Sequence, residues 1–495
     1  MTALASAFET VRRVQPLRIV GTVAAVRGLS VLVDELPVPV GALVSIGSEP
    51  ETKRRRDEGV GAAPSLRLPV SASLPRTYGE VVGFTREHAV VMLLGQTTGI
   101  RAGDRVVGEE ATQTAPVGRH LLGRCVDGLG RPIDGKGIVP DTVHLPISPE
   151  PIPAMRRRRI SQALPTGVRA IDLMTTLGRG QRMGLFAGPG VGKSTLLGCI
   201  AKNTAADVNV IALIGERGRE VKDFIAHSLG DEGLARSVVV VATGDESPLL
   251  RLRAAKLACT AAEYFRDRGL DVLLMMDSIT RFAHAQRQVG LSVGEPPATK
   301  GYTPSVFANM ALLLERAGAV EKSEVGSRKS EVNGPVPTSD FPLPTSGSIT
   351  GLYTILVEGD DMTEPVADAA RGILDGHIIL SRKLAHKAQY PAIDVLDSVS
   401  RVAEDVCTSE HNQARRQLAR LLATYREVED LVQIGAYARG SNPEADVAID
   451  FQRRINDLIR QPKDQGAQFE PSRAAMLALA KESGDALARL TKTKR

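Results

Sequence analysis

The segment Ala187–Thr195 reads AGPGVGKST, and it decides the fold of the central part of the chain. It follows the strand-like run MGLF and opens the helix-like run STLLGCIAKN. A strand, a glycine-rich loop ending in Lys-Ser, and a helix form the phosphate-binding P-loop pattern, here with Ala187 at the position of the first glycine. Glycines let backbone N–H groups approach phosphate oxygens at a helix N-terminus, where the helix dipole favours an anion. The segment therefore predicts a nucleoside-triphosphate site.

The loop also predicts a role for each of its polar groups. We expect the backbone N–H groups of residues 190–193 to hold phosphate oxygens and the Lys193 ammonium to reach the β- and γ-phosphates of a nucleoside triphosphate. The Ser194 hydroxyl is expected to hold Mg²⁺. The predicted nucleotide-binding residues are Gly188, Pro189, Gly190, Val191, Gly192, Lys193, Ser194 and Thr195.

Acidic residues at two strand ends complete the candidate site. The run DVLLMMD ends at Asp277, where P-loop folds carry a carboxylate of the Mg²⁺ shell, although such an Asp can also cap the following helix. The run VNVIALIGERGRE places Glu216 at the end of another strand, where a carboxylate can orient or deprotonate the attacking water. Arg217 follows, and its guanidinium either stabilises phosphate charge or pairs with an acid such as Glu220.

The length and periodicity of the apolar segments divide the chain into three parts. From 17 to 146, short β-branched runs between Gly and Pro turns predict a small antiparallel β-barrel. From 147 to 395, apolar strands alternate with helix-like segments, which predicts a mainly parallel sheet covered by helices. Residues 396–495 are almost wholly helical in pattern. The predicted fold class is therefore α/β, with a barrel before the α/β core and a helical domain after it.

Polar and aperiodic stretches interrupt these patterns at about 49–76 and 319–346. Both are expected to be long surface loops, and a binding patch is the alternative for the charge cluster in the first. Before the barrel, residues 1–16 carry apolar side chains at helical spacing up to Pro16, which predicts a terminal helix. That helix docks either on its own barrel or on a partner.

The composition argues against several classes of protein. Lys and Arg number 62 and Asp and Glu 57, and a net charge of +5 on 495 residues does not indicate a nucleic-acid binder. Aromatic residues make up 3%, and residues 15–120 contain only Tyr78 and Phe84, so the barrel lacks the rings on which single-stranded nucleic acid stacks. The four cysteines form no C-x-x-C pair, and no signal-peptide core or membrane span is visible. We expect a reduced, cytoplasmic protein that binds no nucleic acid.

Five separated blocks of sequence resemble the flagellar protein-export ATPases, also called flagellum-specific ATP synthases. The blocks are GRGQRMGLFAGPGVGKSTLLG, LIGERGREVKDFI, DSITRFAHAQRQVGLSVGEPPATKGYTPSVF, GHIILSRKLA and YPAIDVLDSVSRV, and they occur in the family's order. The whole resemblance runs from about Leu17 to about Arg460. Close relatives of this family are the type III secretion ATPases, and the wider group includes the subunits of rotary ATP synthases. Relative to the family pattern, 49–76 and 319–346 look like insertions.

The resemblance implies a β-barrel N-terminal domain, a RecA-like P-loop ATPase core and a C-terminal helical domain. It further implies a homohexamer that hydrolyses ATP with Mg²⁺ at the inner face of the cytoplasmic membrane, detaches export substrates from chaperones and feeds them to an export gate. A central stalk protein and a stator-like regulatory subunit, the latter at the N-terminal helix, are the other implied partners.

The resemblance also implies roles for single residues. Glu216 matches the catalytic carboxylate with Arg217 beside it, and Asp277 matches the metal-associated Asp, which holds Mg²⁺ through water. Tyr390 in YPAID matches the aromatic residue that packs on adenine. Arg401 in SVSRV matches the arginine finger, which a subunit donates in trans to its neighbour's site. An Arg two hundred residues after its own P-loop fits such a role across an interface.

Three other functions remain as alternatives at this stage. A virulence-type secretion ATPase shares the same motifs, although GAYARGSNPEAD favours the flagellar branch. A non-catalytic subunit of a rotary ATP synthase would carry Gln where this chain has Glu216, and LVQIGAYARGSNPEADVAI differs from the acidic helix-turn-helix of the catalytic subunit. A hexameric RNA translocase has a similar core, but it needs aromatic residues on its barrel.

Overall fold

The computed structural model describes residues 19–47, 77–95, 99–110, 113–321, 347–357, 361–463 and 465–493. The predicted N-terminal helix and the first predicted insertion lie outside the described residues, as do residues 322–346 of the second insertion. The chain divides into two compact units. The first comprises residues 1–114, 246–250 and 288–296, and the second comprises 115–245, 251–287 and 297–495.

The first unit contains a closed antiparallel barrel in the strand order β1-β2-β5-β4-β3-β6. Closure pairs every strand edge, and side chains from alternate positions fill the interior. Val31, Val44, Val81 and Val91 are fully buried there. The barrel strands are β1 (Val20–Arg27), β2 (Ser30–Asp34), β3 (Leu43–Ile46), β4 (Thr77–Phe84), β5 (Ala89–Leu93) and β6 (Arg105–Glu110). The predicted barrel is therefore confirmed.

The second unit contains a nine-stranded, mainly parallel sheet in the order β17-β16-β10-β15-β13-β11-β12-β8, with β14 paired to β15. A separate ribbon joins β7 and β9. The remaining strands are β7 (Thr114–Val117), β8 (Arg124–Asp127), β9 (Val143–Pro146), β10 (Arg182–Ala187), β11 (Val208–Glu216), β12 (Ser237–Thr243), β13 (Asp271–Asp277), β14 (Gly318–Ala319), β15 (Ser348–Leu356), β16 (Gly376–Leu380) and β17 (Ile393–Ser400). Helices cover both faces of a parallel sheet, which explains why β11 is buried along its whole length.

Helices cover this sheet and continue into a C-terminal helical bundle. They are α1 (Arg169–Met174), α2 (Lys193–Asn203), α3 (Gly218–Asp223), α4 (Gly230–Ala235), α5 (Pro248–Arg266), α6 (Ile279–Ser292), α7 (Pro304–Leu314), α8 (Pro365–Ile373), α9 (Arg382–His386), α10 (Ala403–Val406), α11 (Ser409–Gln433), α12 (Pro443–Ile459) and α13 (Phe469–Thr493). A single π-turn, Phe224–Leu229, links α3 to α4. Among the described helices, none has the length and hydropathy that crossing a bilayer requires.

The three C-terminal helices begin at clear local signals and pack on the sheet domain. The Thr408 hydroxyl accepts a hydrogen bond from His411 N and caps α11, and the Asn442 side chain caps α12 ahead of Pro443. Leu418 and Met476 are fully buried in the same hydrophobic core as the sheet residues. The helical bundle and the nucleotide-binding sheet therefore share one hydrophobic core. Separation of α13 from this core would expose apolar surface to water, which is unfavourable.

Two expected domain boundaries do not agree with the strand pairing that the structure shows. The N-terminal segment of the barrel unit ends at Thr114, not at 146, and β8 pairs in parallel with β12 and so belongs to the large sheet. The expected boundary between 395 and 396 falls inside β17, which pairs with β16. Likewise Ala319, the expected start of an insertion, is paired to Ser348 in β14. A short β-branched run looks the same in sequence whichever sheet it joins, so the pattern alone did not place these strands.

Candidate functional site

The predicted phosphate loop lies between β10 and α2, at the carboxyl edge of the parallel sheet. Gly190 and Gly192 have φ values of +77° and +92°, in the left-handed region that glycine adopts without strain. Ser194 and Thr195 are exposed in the first turn of α2. The first N–H groups of a helix have no partner inside the helix, and together with the exposed hydroxyls of Ser194 and Thr195 they suit a phosphate ligand.

Lys193 and Asp277 form the centre of the site. The Lys193 Nζ lies 2.5 Å from Asp277 Oδ1, and the same oxygen accepts a hydrogen bond from Thr354 Oγ1 at 2.7 Å. Asp277 ends β13 and Thr354 lies on β15, the neighbouring strand between β13 and β10. Parallel strands bring their carboxyl ends to one edge, which explains why residues far apart in sequence meet here.

Glu216 lies at the end of β11 with its side chain near the same lysine. Its Oε1 is 3.6 Å from Lys193 Nζ and 3.8 Å from Arg281 Nε. Gly215, immediately before it, forms a bulge in the pairing with β12 and has a φ of +73°. A Cβ at Gly215 would lie 2.7 Å from Arg281 Cδ, so glycine permits the close approach of this arginine. The bulge redirects the strand end and sets the direction of Glu216.

Burial changes the acidity of Glu216. Desolvation, and then the negative charge of Asp277, raise the pKa of Glu216 to about 7, although Lys193 and Arg281 act in the opposite direction. A carboxylate with this pKa exchanges protons near neutral pH, as a general base requires. Its buried Oε1 makes no hydrogen bond with the described residues.

A cavity of about 460 Å³ adjoins the phosphate loop. Its wall is formed by Gly190–Gly192, by Tyr390 and Pro391, and by the segment Gln461–Lys463. Tyr390 is 48% exposed, and a Cβ at Gly192 would lie 3.9 Å from its ring. The cavity is lined mainly by apolar atoms and is large enough for a purine base beside a phosphate site.

The structure brings Lys193, Asp277, Glu216 and Tyr390 around one loop, but it does not bring the two predicted arginines to it. The Arg217 side chain is 82% exposed and contacts Glu220 at 3.5 Å. Arg401 N donates to Asp375 O, and Asp375 N donates to Arg182 O, so Arg401 lies level with the first residue of β10. The phosphate loop follows the last residue of that strand.

The residues around the loop fit a magnesium ion held as in other P-loop proteins. Mg²⁺ prefers oxygen ligands and keeps several waters while it binds substrate phosphates, so it needs only one or two protein oxygens. The exposed Ser194 hydroxyl and the Asp277 carboxylate supply such oxygens. Within the described residues, no cluster of three His, Cys, Asp or Glu side chains forms a metal site of its own.

Three residues of the site were not identified from the sequence. The position of Arg281 could have indicated that it belongs to the site, since it lies in the first turn of the helix that follows Asp277. No feature of the sequence distinguished Thr354, because threonine is a common residue in strands. Gln461 lies in the run RQPKDQG, which reads as a turn, and nothing local indicates that this turn reaches the cavity.

Lys193→Ala is expected to weaken ATP binding by about 100-fold, because the variant loses a charge-assisted contact to phosphate. It also leaves Asp277 and Glu216 buried without their shared cation. Binding of a fluorescent ATP analogue to the purified variant measures the effect. Lys222→Ala, at an exposed lysine of α3, is the matched control and should bind as the wild type does. Unchanged affinity in Lys193→Ala would contradict the assignment of the phosphate site.

Family models match all three parts of the chain. The nucleotide-binding domain of the ATP synthase alpha/beta family matches residues 167–400, and the beta-barrel domain of that family matches 60–109. The model of the T3SS EscN ATPase C-terminal domain matches 407–478.

Curated relatives and solved structures align over most of the chain. The type 3 secretion system ATPase of Xanthomonas euvesicatoria is 52% identical over 79% of this chain and 83% of its own length. The flagellum-specific ATP synthase of Treponema pallidum is 46% identical over 93% of this chain and 92% of its own. Structures of the assembled ATPase EscN of enteropathogenic E. coli, alone and with its central stalk EscO, have TM-scores of 0.78 and 0.77; each is 38% identical and covers 93% of this chain and 100% of that chain.

Proposed function

The chain belongs to the family of the flagellum-specific ATP synthases and type III secretion ATPases, and we propose that it exports flagellar components. As a member it is an ATPase of type III protein export. The family C-terminal model over 407–478 separates it from the rotary ATP synthases and RNA translocases. One observation supports the flagellar branch, namely the segment GAYARGSNPEAD at 435–446, which resembles the flagellar members of the family.

One observation supports the catalytic part of the proposal. Lys193 lies within ion-pair distance of both Asp277 and Glu216 at the carboxyl edge of the sheet. In the proposed reaction the phosphate loop and Lys193 hold the β- and γ-phosphates. Ser194 and Asp277 would hold Mg²⁺, which when bound would supply positive charge against the phosphate oxygens. Glu216 orients the attacking water and takes its proton. Arg281 and Lys193 keep Glu216 near the reacting phosphate.

The base of ATP occupies the 460 Å³ cavity in this proposal, with Tyr390 packed against it. Aromatic packing suits a purine, and the phosphate loop forms one wall of the same cavity. Arg217 remains a candidate for contact with phosphate charge, although its guanidinium contacts Glu220. Arg401 acts from a neighbouring subunit.

We further propose that the chain works as a homohexamer around a central stalk. The related EscN structures, described as assembled and as a complex with a central stalk, support this assembly. The family resemblance adds a stator-like subunit at residues 1–16, chaperone–substrate complexes and the export gate as partners. Such a machine operates in the cytoplasm at the inner face of the cytoplasmic membrane.

Deletion of the gene in its native host tests the export function. We expect loss of flagellar filaments and of secreted filament protein, with both restored by the wild-type gene and neither by Glu216→Gln. Filament length by microscopy and immunoblots of the culture medium measure the result. Normal filaments together with loss of another secreted substrate would assign the chain to a virulence-type system instead.

A further inference from the structure

Gln461 connects three separate segments of the chain beside the base cavity. It is 7% exposed and lies just after α12. Its backbone N donates to Tyr390 O at 3.0 Å, and its side-chain Oε1 accepts from Arg169 N at 2.9 Å. Its Nε2 donates to Gly167 O at 2.8 Å and to Gln465 O at 2.5 Å. Both side-chain polar atoms of Gln461 are therefore engaged with backbone groups.

These bonds fix one wall of the cavity. Pro462 and Lys463 follow Gln461 directly and line the same cavity as the phosphate loop and Tyr390. The backbone bond from Gln461 to Tyr390 holds the two parts of this wall together. Because two of the three side-chain bonds join Gln461 to the backbone of Gly167 and Arg169, the wall is anchored to the turn that precedes α1.

The same anchor reaches the helix that follows the phosphate loop. Gly167 O also accepts from Ala467 N at 2.9 Å, just before α13. A Cβ at Gly167 would lie 2.3 Å from Asn203 Cβ, and a Cβ at Gly466 would lie 2.0 Å from Asn203 Oδ1. Asn203 is the last residue of α2. The segment that leads into α13 is thus packed closely against the far end of the phosphate-loop helix.

We propose that Gln461 is a positioning residue that holds the wall of the base cavity and thereby couples nucleotide binding to the seating of the C-terminal helix α13. The proposal rests on the proposed function in that ATP is the nucleotide bound. A base that packs against Tyr390 and Lys463 binds best when Gln461 is anchored on Gly167. By linkage, a bound base stabilises that anchor, and with it the start of α13.

A purely structural role for Gln461 makes a different prediction. A glutamine that only stabilises the fold would affect every ligand of the site equally, or none. A glutamine that positions the base wall should affect ATP and leave a ligand without a base unaffected. Inorganic tripolyphosphate is such a ligand, because it offers the phosphate loop the same oxygens as ATP.

Gln461→Leu is the primary test, because leucine keeps a similar volume and removes both side-chain polar atoms. We expect KM for ATP to rise about tenfold and kcat to change less than about twofold, since the phosphate site and Glu216 are untouched. The affinity for tripolyphosphate should stay at the wild-type value. Gln461→Asn, which keeps the amide but withdraws it by one methylene, should change KM in the same direction while a polar side chain is retained.

Gln417→Leu is the matched control. Gln417 Nε2 donates to Ala480 O at 2.6 Å and to Ser483 Oγ at 2.9 Å, so it joins α11 to α13 within the helical bundle and does not line the cavity. Its replacement should lower the melting temperature without raising KM for ATP. An unchanged KM in both Gln461 variants, or a parallel loss of ATP and tripolyphosphate affinity, would overturn the proposal. Failure of the wild-type protein itself to bind ATP would instead refute the proposed function.

Hydrogen exchange tests the coupling to α13 directly. In the wild-type protein, a non-hydrolysable ATP analogue should slow amide exchange over residues 465–476, and tripolyphosphate should not. In Gln461→Leu the analogue, added at a saturating concentration, should lose this effect. Equal protection in wild type and variant would show that the base and α13 are not coupled through Gln461.

Discussion

Glu216→Gln is expected to bind ATP with nearly wild-type affinity and to hydrolyse it about 10³-fold more slowly. The variant keeps the volume of the side chain and its place between Lys193 and Arg281, so the phosphate site stays assembled. It loses the carboxylate that takes a proton from the attacking water. Single-turnover hydrolysis of labelled ATP, measured beside equilibrium binding, separates the two effects. Near-normal hydrolysis would remove Glu216 from the catalytic role.

The raised pKa of Glu216 gives the same prediction a second measurement. Because burial and Asp277 raise this pKa to about 7, Glu216 is protonated below pH 7 in the free enzyme and cannot accept a proton there. The wild-type kcat/KM should therefore fall as the pH is lowered through about 7. The residual activity of Glu216→Gln should lack this dependence. Glu232→Gln, at an exposed carboxylate of α4, is the control and should follow the wild-type profile.

Arg401→Ala is expected to bind ATP normally and to lose about 10³-fold or more in turnover, the usual contribution of an arginine finger. The position of Arg401 in its own chain is the reason for expecting this effect to cross a subunit boundary. Arg401 lies level with Arg182 at the start of β10, whereas the phosphate loop begins after Ala187. Arg182 and Ala187 are five residues apart along β10, which corresponds to about 16 Å at roughly 3.3 Å per strand residue. This distance exceeds the reach of an arginine side chain.

Mixing of variants tests donation in trans. Lys193→Ala subunits have no working phosphate site but still carry Arg401, and Arg401→Ala subunits have the opposite defect. Mixed oligomers should therefore regain part of the ATPase activity that each variant lacks alone. Arg453→Ala, at an exposed arginine of α12, is the matched control and should be fully active. No recovery in mixtures that assemble normally would contradict a trans finger.

Much of the site could be predicted from the sequence because its residues carry local signals. Glycines in a strand-loop-helix context mark the phosphate loop, and Asp277 and Glu216 stand at the ends of apolar strands. The roles assigned to Tyr390 and Arg401 came from resemblance, since a tyrosine before proline and an arginine after a strand have no chemical signature of their own. Those roles, like the catalytic role of Glu216, remain predictions for the experiments above.

By itself, the sequence determined the barrel, the mainly parallel sheet, the helical C-terminus and the phosphate loop, because each depends on residue periodicity or on glycine within one short segment. Only the tertiary structure decided which strands share a sheet, so that β8 joins the nucleotide-binding unit and Thr354 meets Asp277. It also decided that Gln461, almost three hundred residues after Gly167, forms part of the cavity wall and donates a hydrogen bond to Gly167 O. Such contacts depend on chain packing in three dimensions, which leaves no local pattern in the sequence around Gln461.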